Sequence, residues 1–409
     1  MMPPGRRLAP ATSLGELWPA GAVVVQRVAD DSIDWLPQDP VWREASTAST
    51  LLLAGGFSVI CHQAGATPEG LQLLRDCGFF LPPQIITYQN IAEIRELIAG
   101  QIRCGRKIGI TYPSREMWAP AAAHVNEPAL ISELNDKAAL PELLPADTYP
   151  ARRLVGIHEL GEAMAACRGK LPLVLKASTP LGSGACLDVF ICRCRGDLDL
   201  AHEALLRSER VVVEEYHPFI RTWCMSFGIS DRGCVFLGAP EQICDEQGKY
   251  HGNWRTPAGP GVEAVEIGTH AAWAGHARGY RGFLGVDVGR TDDGRILAFD
   301  LNFRNNGSTV QNIFHDALTA AWGISCTRVC HGISFIGTFG GMLAGIRLSY
   351  ERREVVPLLT FDTAQHGLSI TAPRCNLLIA SPDPVAVEGS VGRLRSAGFE
   401  IDSAALPLT

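Results

Sequence analysis

Two short apolar segments, each interrupted by one aspartate, constrain the fold of this chain most strongly. Asp287 lies within FLGVDV, Asp300 lies within ILAFDLNF, and the polar turn Thr291-Asp292-Asp293-Gly294 lies between the two segments. Alternating runs on both sides of such a turn predict an antiparallel hairpin. Because an unpaired carboxylate in an apolar strand is costly, a functional role for these aspartates is favoured over a solvent-facing strand end.

The predicted hairpin places several polar side chains on one face of the sheet. Asp287 and Asp300 can point the same way from neighbouring strands, and Asn302 and Arg304 continue the alternation of Asp300. Two carboxylates and an amide oxygen are suited to Mg²⁺, or alternatively Mn²⁺, with phosphate oxygens as further ligands. Arg304 could hold a phosphoryl oxygen through both guanidinium nitrogens.

A glycine-rich loop at residues 178–185 is a candidate phosphate site. It contains Gly182, Ser183 and Gly184 between two strand-like runs, and Lys176 precedes it on the first run. Small residues let backbone N–H groups wrap an anion, although the loop taken alone is better explained as a hairpin beside a surface lysine. The strand–loop–strand order disfavours both the Rossmann and the Walker fingerprint, because each needs a helix after the loop.

A third candidate is the acidic strand end Glu214-Glu215-Tyr216, which follows the apolar run Val211-Val212-Val213. The backbone of a strand edge can pair with an adenine while an acidic group binds ribose hydroxyls. Acidic strand ends are also common without any ligand, so this signal is weak when taken alone.

Composition excludes several classes of protein. The 409 residues are 46% hydrophobic and 19% charged, which rules out a disordered chain or a coiled coil and, at about 100–200 residues per domain, allows two to four domains. A net charge of −7 gives no attraction to nucleic acid or to an anionic membrane. The basic N-terminus has no apolar segment after it, so we expect no signal peptide and a cytoplasmic protein.

The thirteen cysteines are scattered without the spacing of a disulfide framework and are expected to be reduced thiols. Two groups of closely spaced residues are candidate metal ligands: Cys192 with Cys194, and Cys326 with Cys330-His331. Neither has the C-x₂-C repeat of a structural zinc site, so a metal role is disfavoured for both.

Strand-like and helical segments alternate in the first 130 residues, which predicts a parallel-sheet α/β unit. Strands are expected at Gly21–Val28, Ser49–Leu53, Phe57–Cys61 and Lys107–Thr111, with a helix at Ile91–Leu97.

In this order, the segments between about Asn135 and Ser308 resemble the ATP-grasp superfamily. The resemblance consists of Asp136-Lys137 opening a helix, Lys176 before the glycine loop, the strand end at 213–216, and Asp287 followed by Asp300-x-Asn302-x-Arg304. It implies an α/β fold, α+β in the lid, with two lobes that grip ATP. The implied division is an N-terminal α/β domain at 1–133, a lid at 134–215, a central lobe with the metal site at 216–345, and a C-terminal segment packed on that lobe at 346–409.

The resemblance also implies roles for individual residues. Lys137 and Lys176 would contact the phosphates under a mobile loop at 182–184, the segment 214–216 would form the adenine hinge, and Asp287, Asp300 and Asn302 would hold Mg²⁺. Arg304 would steady the transferred phosphoryl group, and Arg255 or Arg281 could clamp the substrate carboxylate. The chain departs from many relatives in two places: it has no Glu shortly after the hinge, where Glu215 could substitute, and it has Asp300 where they have Glu.

The activity implied is that of a carboxylate–amine ligase, which phosphorylates an acid with ATP and joins the acyl phosphate to an amine. The segment 301–309 is similar to natural-product peptide ligases of the pheganomycin type, which implies an amino acid or small peptide as substrate and possible homodimerisation. Two alternatives remain open at this point. One is an ATP-grasp phosphotransferase or carboxylase that forms no amide, and the other is a non-catalytic nucleotide-binding protein.

Overall fold

The computed structural model describes residues 7–26, 35–111, 120–167, 171–179, 183–184, 186–245, 248, 250–367 and 372–402. Their strands form a four-stranded parallel sheet, a four-stranded antiparallel sheet and a ten-stranded antiparallel sheet. Together these sheets give the predicted α/β fold with an antiparallel lid. Among these residues, no helix combines the length and the apolar character that crossing a bilayer requires.

The N-terminal domain is built on a parallel sheet of order β3-β2-β1-β4. Its elements are α1 (Leu14–Leu17), β1 (Ala22–Val25), α2 (Pro40–Thr47), β2 (Ser58–His62), α3 (Pro68–Asp76), β3 (Ile85–Tyr88), α4 (Ile91–Arg103) and β4 (Lys107–Ile110). One face of the sheet packs against the apolar side of α4, and the other joins a core shared with the C-terminal strands. The predicted parallel sheet is therefore confirmed.

One strand predicted in this domain was wrong. Residues Ser49–Leu53 were expected to be extended, whereas Ala48–Leu52 forms a 3₁₀ helix. The Thr50 hydroxyl donates to the carbonyl of Thr47, and the Leu53 N–H bonds back to the Thr50 carbonyl. A short buried apolar run has no periodicity that separates a strand from a tight helical turn, so these local hydrogen bonds decide the conformation.

The lid sheet follows two short helices, α5 (Pro128–Asn135) and α6 (Leu140–Leu143). It is antiparallel with the order β5-β8-β6-β7. Its elements are β5 (Arg152–Gly156), α7 (Leu160–Cys167), β6 (Leu173–Ser178), β7 (Val189–Cys192), α8 (Arg195–Leu205) and β8 (Arg210–Glu215). Alternation along β6 and β8 buries one set of side chains under α7 and α8 and leaves the other set facing the central lobe.

The described residues from 219 onward form a ten-stranded sheet with helices packed on it. Its elements are β9 (Phe219–Ser230), β10 (Gly233–Gly238), β11 (Glu241–Cys244), β12 (Tyr250–Arg255), α9 (Val262–Ala277), β13 (Gly282–Thr291), β14 (Ile296–Asn302), α10 (Thr309–Trp322), β15 (Cys326–Phe335), α11 (Phe339–Glu351), β16 (Val355–Phe361), β17 (Arg374–Ser381), α12 (Pro384–Ser396) and β18 (Phe399–Glu400). The predicted β13–β14 hairpin is present, and β9 and β10 form a second hairpin. The C-terminal strands continue the sheet that carries these hairpins, because β15 pairs with β12 and with β17.

Trp18 forms a contact between the N-terminal domain and the ten-stranded sheet. Its indole N–H donates to the carbonyl of Arg281 at 2.9 Å, and its ring stacks on Phe57 with centroids 6.3 Å apart. The same ring lies directly over Gly109 of β4, where an added Cβ would come within 2.1 Å of it. The absence of a side chain at Gly109 therefore lets the Trp18 ring lie against β4 in the position from which its N–H reaches Arg281.

We expect Gly109→Ala to lower the free energy of unfolding by about 1–3 kcal/mol, because a buried indole would have to move. Gly56→Ala is a matched control, since a Cβ at that position meets nothing within 4 Å, and it should change stability by no more than about 0.5 kcal/mol. Urea denaturation of both variants measures the difference. Equal stability of the two variants would contradict this account of the interface.

Candidate active site

Two carboxylates face each other across the β13–β14 hairpin. Asp287 and Asp300 are direct partners in the strand register, and a bulge follows Asp287. The Asn302 amide donates to both carboxylates, at 3.4 Å and 3.3 Å, and the Gln242 amide donates to Asp287 at 3.2 Å. Burial, with a further contribution from the charge of Asp300, raises the pKa of Asp287 to about 7. Amide donors alone do not balance this pair of carboxylates, and a cation would.

Lys137 supplies part of that balance. Lys137 lies in the turn between α5 and α6. Its ammonium is 2.6 Å from an Asp300 oxygen and 3.8 Å from an Asp188 oxygen. Burial disfavours the charged lysine, but the two carboxylates more than offset this effect and raise its pKa. Lys137 and two further cations, Lys176 and Arg304, in turn hold the pKa of Asp300 below its usual value despite burial.

The lid contributes a second cation, Lys176 of β6, on the face opposite its own core. The Lys176 ammonium donates to the carbonyl of Phe299 at 2.8 Å and lies 2.7 Å from a Glu214 oxygen. Glu214 also forms an ion pair with Arg152 of β5. Burial lowers the pKa of Lys176, and the positive charges of Arg152 and Lys137 lower it further. The charge of Lys176 therefore depends on nearby negative groups.

Arg304 connects the hairpin to the glycine loop. Its guanidinium donates to the side-chain oxygen of Asn302 and, at 3.2 Å, to the backbone carbonyl of Ser183. Gly184 is fixed from the other side by a backbone bond to Trp35 at 3.1 Å. Gly182, the third loop residue of interest, lies outside the described residues.

The hinge residues divide into two groups. The Glu214 side chain is buried and forms ion pairs with Lys176 and Arg152, and the assignment of its backbone to an adenine hinge stays a prediction. Glu215 is exposed, with 59% of its side chain accessible, and lies 3.5 Å from His217. Tyr216 is half-buried between β8 and β9. Alternation along β8 explains the difference, since successive side chains point to opposite faces.

The two candidate carboxylate clamps are not brought to the carboxylate pair. Arg281 lies six residues before Asp287, about 20 Å along the strand, and bonds to Asp231 and to the His276 carbonyl. Arg255 is held against α10, where it donates to the Asn312 carbonyl at 2.8 Å and pairs with Asp316 at 2.9 Å. Both guanidinium groups are thus occupied by structural partners.

Sequence reasoning missed four side chains that complete the site. Each of the four contacts one of the predicted site residues Glu214, Lys137 and Asp287: they are Arg152, Asp188, Gln242 and Cys224. Asp188 follows the glycine loop and has one buried oxygen without a hydrogen-bond partner, and Cys224 is the register partner of Asp287 on β9. The alternation of β8 with β5 could have indicated Arg152, but the strand Arg-Arg-Leu-Val-Gly offers two arginines and no pattern that selects one of them.

The fold of the whole chain is similar to that of several solved structures. The chain matches the L-amino acid ligase from Bacillus licheniformis with a TM-score of 0.55 and 13% identity, covering 93% of this chain and 98% of that one. It matches the N5-carboxyaminoimidazole synthetase from Staphylococcus aureus complexed with ADP at 0.56 and 11%, covering 93% and 98%. It also matches the biotin carboxylase domain of the Hydrogenobacter thermophilus 2-oxoglutarate carboxylase, in complex with MgADP, at 0.57 and 13%, covering 95% and 92%. All three likenesses show a shared fold.

The fold, together with matches to two family models, defines the chain as an ATP-grasp enzyme, an ATP-dependent carboxylate–amine ligase. The first model, the N-terminal domain of L-aspartate–L-methionine ligase, matches residues 13–132. The second, the ATP-grasp domain of the same ligase, matches residues 150–302. The chain therefore belongs to the ATP-grasp carboxylate–amine ligases, and the members that it matches are the L-aspartate–L-methionine ligases.

The donor set fits magnesium and ATP together better than a metal alone. Among the described residues, no group of three or more His, Cys, Asp or Glu side chains is arranged to hold a metal ion. Asp287, Asp300 and Asn302 supply hard oxygen ligands, and Mg²⁺ usually completes such a set with phosphate oxygens and water. The cations Lys137, Lys176 and Arg304 lie around the same position and suit the phosphates.

We expect Asp287→Asn to stabilise the metal-free, nucleotide-free enzyme by about 1 kcal/mol or more at pH 8. The folded-state pKa of Asp287 is raised, so its carboxylate destabilises the fold above that pKa, and this cost disappears as pH falls toward the unfolded-state pKa. The gain should therefore be smaller at pH 5. Urea denaturation in the presence of a chelator, at both pH values, measures it.

Asp293→Asn on the same hairpin is the matched control. Asp293 is exposed, and hydrogen bonds from Thr291 and Arg295 lower its pKa, so its substitution should give no gain at pH 8. If Asp287→Asn destabilised the enzyme at pH 8, the buried Asp287 carboxylate would not be a source of instability.

Proposed function

We propose that this enzyme joins the carboxylate of L-aspartate to the amino group of L-methionine, or of a closely similar amino acid, at the expense of ATP. The observation that carries the proposal is the buried cleft in which Lys137, Lys176 and Arg304 surround two facing carboxylates. The matches over both the N-terminal and the ATP-grasp segments support the choice of substrates. A setting in natural-product biosynthesis stays a prediction from the sequence resemblance.

The chemistry requires activation of the acid. A carboxylate is a poor electrophile, and its phosphorylation replaces an oxide leaving group by phosphate. Lys176, Lys137 and Arg304 would stabilise negative charge on the phosphoryl oxygens as it is transferred, in a cleft where burial strengthens each interaction. Asp287, Asp300 and Asn302 would hold Mg²⁺, which neutralises phosphate charge and orients the transferring group when bound.

The nucleotide would lie between the lid and the central lobe. The backbone around Glu215 and Tyr216, at the junction of β8 and β9, would pair with the adenine. Phe219 and Phe299 stack on one another beside this junction, with ring centroids 5.2 Å apart, and would form an apolar floor for the base. Exposed Glu215 is the acidic group left for the ribose hydroxyls, since Glu214 is already paired.

We expect the purified enzyme to release ADP only when L-aspartate and L-methionine are both supplied. Coupled ADP assays over a panel of amino acids, alone and in pairs, would identify the acid and the amine. Mass spectrometry should find a product equal to the two amino acids minus one water. ADP release with a single acid and no amine, without a condensed product, would instead support a phosphotransferase or carboxylase.

Asp300→Ala should reduce ADP release at least about 10²-fold, because it removes a metal ligand and leaves the Lys137 ammonium without its closest partner. Asp293→Ala, in the exposed turn of the same hairpin, should retain the activity of the unmodified enzyme. Steady-state kinetics on both variants measures the difference. Unchanged turnover by Asp300→Ala would rule out the metal assignment.

A further inference from the structure

The loop after β14 packs against the strands that carry the carboxylate pair and its neighbours. The Asn306 amide donates to the sulfur of Cys224 at 3.2 Å, and Cys224 is the register partner of Asp287 on β9. A Cβ added to Gly285 would lie 1.8 Å from the Asn306 amide nitrogen, so the Asn306 side chain is packed onto the strand that carries Asp287. Gly307 is the next residue in the chain and follows Asn306 along this loop.

Tyr250 and His331 both contact Gly307. A Cβ on Gly307 would lie 2.7 Å from the Tyr250 hydroxyl oxygen, and the Asn253 amide donates to that oxygen at 2.7 Å. The His331 ring lies 6.2 Å from the Tyr250 ring. His331 is solvent-accessible, and the atoms packed around its ring lower its pKa by desolvation.

The hydrogen bonding of His331 fixes which ring nitrogen carries the proton. Nε2 lies 2.9 Å from the carbonyl oxygen of Gly307, and a carbonyl can only accept, so Nε2 is the protonated nitrogen. In the neutral ring, Nδ1 then has a free lone pair. No residue that the structure describes forms a hydrogen bond to Nδ1.

We propose that His331 Nδ1 accepts the proton of the attacking amine, a step that rests on the proposed function. The substrate ammonium gives one proton to Nδ1, and its nitrogen lone pair then attacks the acyl carbon. The bond between this carbon and the phosphate oxygen breaks, and the second proton of the nitrogen leaves with the phosphate. The products are the amide, hydrogen phosphate and the imidazolium of His331.

Four other polar groups near His331 are unsuited to this step. Burial raises the pKa of the Cys224 thiol and of the Tyr250 phenol, so both stay protonated. Burial likewise raises the pKa of Cys244 to about 12. Both ring nitrogens of His251 are already within hydrogen-bonding distance of carboxylates, those of Asp245 and Asp402. His331 is the neutral acceptor that these groups leave.

The test compares two nucleophiles in the intact enzyme with ATP, Mg²⁺ and L-aspartate. L-Methionine is an ammonium at neutral pH and must lose a proton, whereas hydroxylamine is already largely unprotonated and traps the acyl phosphate as a hydroxamate. We expect His331→Gln to reduce kcat/KM for methionine about 10²–10⁴-fold, the usual contribution of a general base, and to leave hydroxamate formation within about threefold. His331→Ala should show the same division.

His270→Gln is the control, because His270 is exposed on α9 and should leave both rates unchanged. Equal losses with both nucleophiles would show that His331 acts only through structure and would overturn the proposal, as would full activity of His331→Gln with methionine. If the unmodified enzyme made no hydroxamate from aspartate, the proposed function itself would be wrong, and the role of His331 with it. The two failures are thus distinguishable.

Discussion

The interaction on which the rest of the site depends is the contact between the lid cations and the β13–β14 hairpin. Lys137 binds Asp300, and Lys176 binds the carbonyl of Phe299 one residue earlier. Buried charges are tolerated only with partners, and here each lysine uses protein oxygens as partners. If these lysines bind the ATP phosphates as proposed, nucleotide binding would replace their protein partners by phosphate oxygens.

The sequence was sufficient for the parts of the site that follow a short period. The alternation of polar residues in ILAFDLNFR predicted that Asp300 and Asn302 share a face, and the turn at 291–294 predicted their pairing with Asp287, which the strand register confirms. Lys176 lies on the cleft face of β6 for the same reason. Within one hairpin, two-residue periodicity and turn chemistry decide the geometry, and both can be read locally.

The remaining features depend on contacts between distant segments. The sequence did not indicate that the Glu214 side chain pairs with Lys176, which lies 38 residues earlier in the chain. Arg281 precedes Asp287 by six residues, and only the extended course of β13 shows that Arg281, just before the strand, is distant from Asp287 in its middle. His331 was considered as a metal ligand beside Cys330, whereas its partner is the carbonyl of Gly307. No local pattern encodes such pairings.

The loop after β14 touches three separate parts of the molecule in three consecutive residues. Asn305 accepts from Thr111 at the edge of the N-terminal sheet, Asn306 donates to Cys224 on β9, and Gly307 accepts from His331 on β15. A change in the length of this loop would displace all three contacts together. Divergence toward new substrates is therefore easier on the partner segments, which can vary one at a time, than in the loop that they share.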